Sequence, residues 1–237
     1  MFDFTNQVVI VTGANGELGQ ATAVAFAAAG AKVGLLGRSL DKLQEAFPDY
    51  QDSEQSLFLI ADLTQEAAVQ AAVDRAIEHF GRIDVIVHTA GGFRSGKAVQ
   101  EMPLDLWDFM LDLNARSVLI ASRAIIPQMI KQQRGKIITI GSKSAFEGGA
   151  NKAAYSASKA AVLRLTESMS AELKHLGINV NSVLPGTIDT PTNRKAMPDA
   201  DTGRWVTPEE LANVILFLAS DAAQAIHGAA IPVYGLG

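Results

Sequence analysis

Short apolar runs recur along this chain, each separated from the next by a stretch with helical spacing. That alternation constrains the fold more than any other feature. The runs are Val8–Val11, Lys32–Leu36, Leu57–Ile60, Ile83–Val87, Ile137–Ile140, Ile178–Leu184 and Ile231–Val233. They are too short for helices and mostly apolar throughout rather than alternating, as expected of strands buried on both faces. Strands that alternate with helices call for a parallel sheet covered by helices on both sides. Right-handed crossovers leave few topologies, of which the doubly wound, Rossmann-like arrangement of about seven strands is the commonest.

With 237 residues, 48% of them hydrophobic, the chain is long enough for one well-buried α/β domain, and no linker divides it. A single domain spanning 1–237 is expected. The absence of cysteine excludes disulfides, thiolate catalysis and cysteine-ligated metals. His79, His88, His175 and His227 lie scattered without ligand spacing and are expected at the surface or at helix ends, so no metal site is expected. A net charge of −5 argues against nucleic acid as a partner. No apolar run approaches the ~18 residues that span a bilayer. The strand pattern begins at Val8 and leaves no room for a targeting segment, so a cytoplasmic protein is expected.

The first apolar run passes into a helix through Thr12-Gly13-Ala14-Asn15-Gly16-Glu17-Leu18-Gly19. Glycines at 13, 16 and 19 let the backbone turn tightly and approach a pyrophosphate at the helix N-terminus. The plainer reading is a tight turn with close helix–strand packing; the strand–turn–helix context favours nucleotide binding. The second run ends Leu36-Gly37-Arg38, without an acid to accept from ribose hydroxyls. Arg38 can pair with a 2′-phosphate instead, which favours NADP(H) and leaves NAD(H) possible. Glu17 would oppose such a phosphate. Asp62, followed by Leu63, is placed either to accept from an adenine amino group or to cap the next helix.

The stretch from Lys136 to Lys159 carries the chemistry. Its strand ends at Gly141-Ser142, a polar loop follows, and a helical pattern then contains Tyr155 and Lys159. Four residues apart, those two side chains share one helix face. Ser142 falls at the carboxyl end of a strand, where open α/β sheets present their chemistry. A free phenol has a pKa of about 10, and a nearby cation would bring it toward the working range. Ser142 can donate to the same substrate oxygen. An ordinary surface pair is the bland alternative for Tyr155 and Lys159 taken alone.

Ser142, Tyr155 and Lys159, in that order and spacing, resemble the catalytic signature of the short-chain dehydrogenase/reductases, over essentially the whole chain. The resemblance implies a fourth catalytic position at Asn114, holding a water in a proton relay. It implies that Ala90, Gly91, Tyr155, Lys159, Pro185, Gly186 and Ile188 line the nicotinamide half of a cofactor site. Two departures stand out. Glu17 replaces a glycine usual in the loop, and Thr89-Ala90-Gly91 stands where Asn-Ala-Gly is usual. The glycine pattern and the segment Leu184 to Asp201 are similar to quinoid dihydropteridine reductases. That subgroup usually lacks the serine and carries an acid after the second strand.

A ketone or aldehyde reductase, including the 3-oxoacyl type, is therefore expected. A dihydropteridine-reductase-like enzyme and a non-catalytic nucleotide-binding protein are the alternatives. Substrate contacts are expected from loops, with Phe93, Phe146 and Trp205 as apolar elements and about 186–206 as the main substrate loop. The helical segments 113–131 and 152–174 carry small and apolar residues over much of their circumference. Together with the resemblance, this implies a homo-oligomer, dimer or tetramer.

Overall fold

A computed structural model describes residues 2–236. Seven strands form one parallel sheet: β1 (Val8–Thr12), β2 (Lys32–Gly37), β3 (Ser56–Ile60), β4 (Val85–His88), β5 (Gly135–Ile140), β6 (Ile178–Pro185) and β7 (Ala230–Val233). Their order is β3-β2-β1-β4-β5-β6-β7, so the chain reverses its direction of winding between β1 and β4. In such sheets ligands bind outside the carboxyl ends of the strands at that reversal.

Alternate side chains of each strand feed opposite layers, as the strand period of two requires. Val9 and Val11 of β1 face one core with Leu35, Phe26 and Ile215. Val8 and Ile10 face the other with Val69, Ile125 and Val162. The first core is closed by helices α1 (Glu17–Ala28) and, after six further helices, α8 (Pro208–Ala219). The second lies under α3 (Glu66–Phe80), α5 (Ser117–Gln132) and α6 (Ala153–Leu173). Both faces of the sheet are thus sealed, which explains strands without polar alternation. Of the remaining helices, α2 (Leu40–Ala46) starts on Ser39, whose side chain accepts from the Lys42 amide. The start of α8 on Thr207-Pro208 is a full capping box with Glu210.

The structure departs from the sequence reading in three places. The helical segment 113–131 does not begin as an α-helix: a π-helical turn, Asp112–Arg116, lies between α4 (Leu104–Leu111) and α5. The loop 186–206 contains α7 (Pro191–Ala196) and an isolated bridge from Ile188 to Val206. His88 is not at the surface; it is buried in β4, hydrogen-bonded through Nε2 to Ser122 Oγ at 3.1 Å. Burial in the sheet pushes its pKa down to about 3, because an apolar interior disfavours the charged ring.

Candidate active site

The carboxyl ends of β1, β4, β5 and β6 bring the sequence candidates to one side of the sheet. Ser142 follows β5 and is buried; its Oγ accepts the Ser144 amide at 3.2 Å. A hydroxyl that is already accepting still has its proton to donate. Tyr155 lies in the first turn of α6, partly buried, with Phe93 packed edge-on against its ring at 4.9 Å between centroids. Lys159, one turn on, is buried, and its Nζ donates to the Ile140 carbonyl oxygen at 2.8 Å.

Electrostatics at the pair differ from the expectation. The Tyr155 phenol is pushed above its ordinary value by burial, which the Ser142 hydroxyl opposes in part. Lys159 is pulled down to about 8, also by burial. Burial of the phenol itself sets the direction of its shift, and the ammonium is not among the groups that move it. At neutral pH the phenol therefore holds its proton.

Asn114 sits in the π-helical turn, where the backbone steps out of register. Its Oδ1 accepts the Gly92 amide at 2.9 Å, and its Nδ2 donates to Gly92 O at 3.1 Å and Ser158 Oγ at 2.9 Å. Ser158 in turn donates to Tyr155 O at 2.7 Å. The Asn114 side chain is thus committed to bracing the strand-four loop against α6. A Cβ at Gly91 would lie 2.9 Å from Asn114 Oδ1 and 3.4 Å from Lys159 Nζ, so this glycine passes between the two. Ser158, which completes the brace, was not singled out from the sequence, because a serine inside a helix carries no local signal.

Beside these residues opens a cleft of about 430 Å³. Gly13, Asn15, Gly16, Arg38, Asp62, Leu63, Ala90 and Gly91 line it, as anticipated; Phe109, Leu113 and Ser117 were not anticipated. Glu17, Leu18 and Gly19 form the start of α1 beside it. Pro185, Gly186 and Ile188 lie beyond it at the end of β6. The cleft suits a dinucleotide. Helix α1 begins at Gly16 without a side-chain cap, which leaves its first amides for an anion.

The loop glycines divide their roles. A Cβ on Gly13 would strike Ala90 Cα at 2.7 Å and one on Gly19 would strike Ala14 Cα at 2.8 Å, so both are fixed by packing. At Gly16 the nearest neighbour is Gly13 O at 3.4 Å, and the space above the loop stays open.

Arg38 is exposed at the cleft rim and has no ion-pair partner among the described residues. Asp62 does not cap α3, which begins four residues later. Its Oδ1 instead accepts the Thr64 amide and hydroxyl at 2.9 and 2.8 Å, and these bonds lower its pKa, with a smaller pull from Arg38. Thr89, which stands where an asparagine is usual, joins β4 to β1: its Oγ1 donates to Thr12 O at 2.5 Å. No cluster of metal ligands occurs among the described residues, and no helix there is long and apolar enough to cross a membrane.

The short chain dehydrogenase family model matches residues 7–201. The 3-oxoacyl-[acyl-carrier-protein] reductase FabG of Thermotoga maritima is 34% identical over 243 residues, 97% of this chain and 96% of that one. The NAD+-bound structure of a xylitol dehydrogenase superposes with a TM-score of 0.90 at 28% identity, covering 98% of this chain and 99% of that one. ElxO with NADP bound gives a TM-score of 0.90 at 26% identity over 97% of both chains. On this match of sequence, topology and site, the chain belongs to the short-chain dehydrogenase/reductase family of oxidoreductases.

Proposed function

We propose that the protein is an NAD(P)(H)-dependent carbonyl reductase or alcohol dehydrogenase, acting on a ketone or aldehyde. The observation that carries this reading is the convergence of Ser142, Tyr155 and Lys159 at the ends of β5 and α6 beside a dinucleotide-sized cleft. When bound, the nicotinamide supplies or takes up the hydride at the substrate carbon. Tyr155 donates its phenolic proton to the oxygen in reduction and takes it back in oxidation. Ser142 donates a hydrogen bond to the same oxygen and orients it. Lys159 holds ribose hydroxyls with its ammonium.

The cofactor rests on the Gly13–Gly19 turn and the open end of α1, with Asp62 and Leu63 at the adenine and Ala90, Gly91, Pro185, Gly186 and Ile188 at the nicotinamide side. Arg38 at the rim supports a preference for NADP(H), through charge-assisted bonds to a 2′-phosphate. The substrate is a small molecule, of the 3-oxoacyl type among others, and the enzyme works as a homo-oligomer.

A panel of carbonyl compounds together with quinonoid dihydropterin, each with NADPH and NADH, tests the assignment. Removing the phenolic hydroxyl in Tyr155→Phe should cost the ~10²–10⁴ typical of general acid–base catalysis. Ser142→Ala should cost about 10²–10³ on a ketone, as losing one oxyanion donor does. Near wild-type turnover by Tyr155→Phe would overturn the reading. Full activity of Ser142→Ala, with dihydropterin turned over far better than any ketone, would replace it by the dihydropteridine reductase alternative.

A further inference from the structure

We propose that the carbonyl substrate of this site carries a carboxylate, bound between Lys143 and Lys152; this rests on the carbonyl-reductase reading above. One lysine follows the reacting serine in sequence and the other stands at the start of the helix that carries Tyr155. Lys143 directly follows Ser142, and its Nζ lies 5.6 Å from the centre of the Tyr234 ring. The Tyr234 backbone passes close to Gly186, where a Cβ would come within 2.7 Å of its carbonyl oxygen. Lys152 is the N-cap residue of α6, three residues before Tyr155. Its Nζ lies 5.9 Å from the centre of the Phe93 ring, the same ring that packs edge-on against Tyr155.

Each ammonium group thus stands near an aromatic ring, and the ring beside Lys152 packs on Tyr155. Neither has an ion-pair partner among the described residues. Three of the other cations on the substrate side are already committed. Arg194 is paired with Asp189 at 2.6 Å, Arg204 donates to Leu236 O at 2.7 Å, and Arg94 is stacked 3.9 Å over Phe109. Lys97, in the loop after β4, and Lys195, in α7, remain.

The local balance is also opposite to that of the chain. Segments 92–102 and 143–152 hold Arg94, Lys97, Lys143 and Lys152 against Glu101 and Glu147, a surplus of two positive charges in a protein of net charge −5. A cation just before α6 also stands against the helix dipole, and the first turn of α6 holds no acid to offset it. A ligand carboxylate would satisfy both features. With the carbonyl oxygen at Ser142 and Tyr155, the anion would reach the lysines from the substrate's far end.

The test uses matched pairs that differ only in charge: pyruvate, acetoacetate and levulinate, each against its methyl ester, with NADPH and NADH. At least one oxo acid should exceed its ester about tenfold in kcat/KM, the range of one charge-assisted hydrogen bond. That ratio should fall with added salt. Lys143→Met and Lys152→Met should each raise KM for the acid while leaving kcat and the ester's kinetics near wild type. Esters reduced as well as or better than every acid would overturn the inference while leaving the carbonyl-reductase reading intact. Lysine variants that lower acid and ester alike would overturn it too. No carbonyl compound turned over by the wild type, or turnover that survives Tyr155→Phe, would instead remove the reading beneath it.

Discussion

The Lys159 ammonium is tied to the Ile140 carbonyl oxygen at 2.8 Å, so helix α6 is pinned to the end of β5 through its own candidate catalytic residue. This bond fixes where the face of α6 that carries Tyr155 meets Ser142. It also holds a cation in a buried place, where its pKa falls to about 8. Tyr155, pushed above its ordinary value, keeps its proton through the same range.

The pH profile of carbonyl reduction should show the consequence. In the free enzyme Lys159 is charged below about 8 and loses its proton above it. The profile of kcat/KM, which reports free-enzyme groups, should fall on the alkaline side with a one-proton limb near that value. Lys159→Arg, charged throughout, should lose that limb even if its absolute rate is lower. An unchanged limb would assign it elsewhere. For stability the sign is the reverse. The folded value lies below the ordinary 10.5, so the unfolded chain binds more protons between the two, and stability rises with pH across that window.

Cofactor choice turns on Arg38. A charge-assisted contact to a 2′-phosphate is worth roughly 1.5–3 kcal/mol, about tenfold or more in affinity. Arg38→Ala should weaken NADPH binding by that factor and leave NADH nearly unchanged in a fluorescence titration. Equal losses for both would show that Arg38 shapes the cleft instead.

His88 should make the protein acid-sensitive. Its value near 3 lies below the ordinary 6.5, so the neutral ring contributes stability that is fully present above about 6.5 and is lost as pH falls toward 3. In that window the unfolded chain takes up one more proton, worth about 1.4 kcal/mol per pH unit. His88→Asn should flatten the pH dependence of urea unfolding between about pH 6 and 4 by close to one proton. Identical slopes would exclude the ring as the cause.

Helices α5 and α6 leave apolar surface outward. Leu119 is 40% exposed, and Ala157 and Ala160 are half-buried on a helix whose other face already covers the sheet. A symmetric partner on this surface should make the protein a dimer or tetramer in solution. Light scattering that gives a monomer at micromolar concentration would count against the assembly.

The architecture was legible because it is written in local periodicity. Continuous apolar runs named five of the seven strands to within a residue at each end, and β4 and β5 to within two, at their starts. Gly13 and Gly19 were legible for a related reason: the strand–turn–helix crossing leaves no space for a side chain there. The spacing of Ser142, Tyr155 and Lys159 survived into three dimensions because a strand end and one helix turn fix it locally.

What only the tertiary structure decided are the meetings between distant segments. The π-helical step that turns Asn114 toward Gly92 and Ser158 is invisible in a helical pattern, which gives no sign of one extra residue in a turn. Phe93 reads as a loop aromatic until it packs on Tyr155, and Arg194 as a free cation until α7 sets it beside Asp189. His88 looks like any scattered histidine until the sheet closes around it. The sign of the Tyr155 shift was decided in the same way. Desolvation depends on everything that surrounds a group, and the identity of the residue four places along the chain does not reveal it.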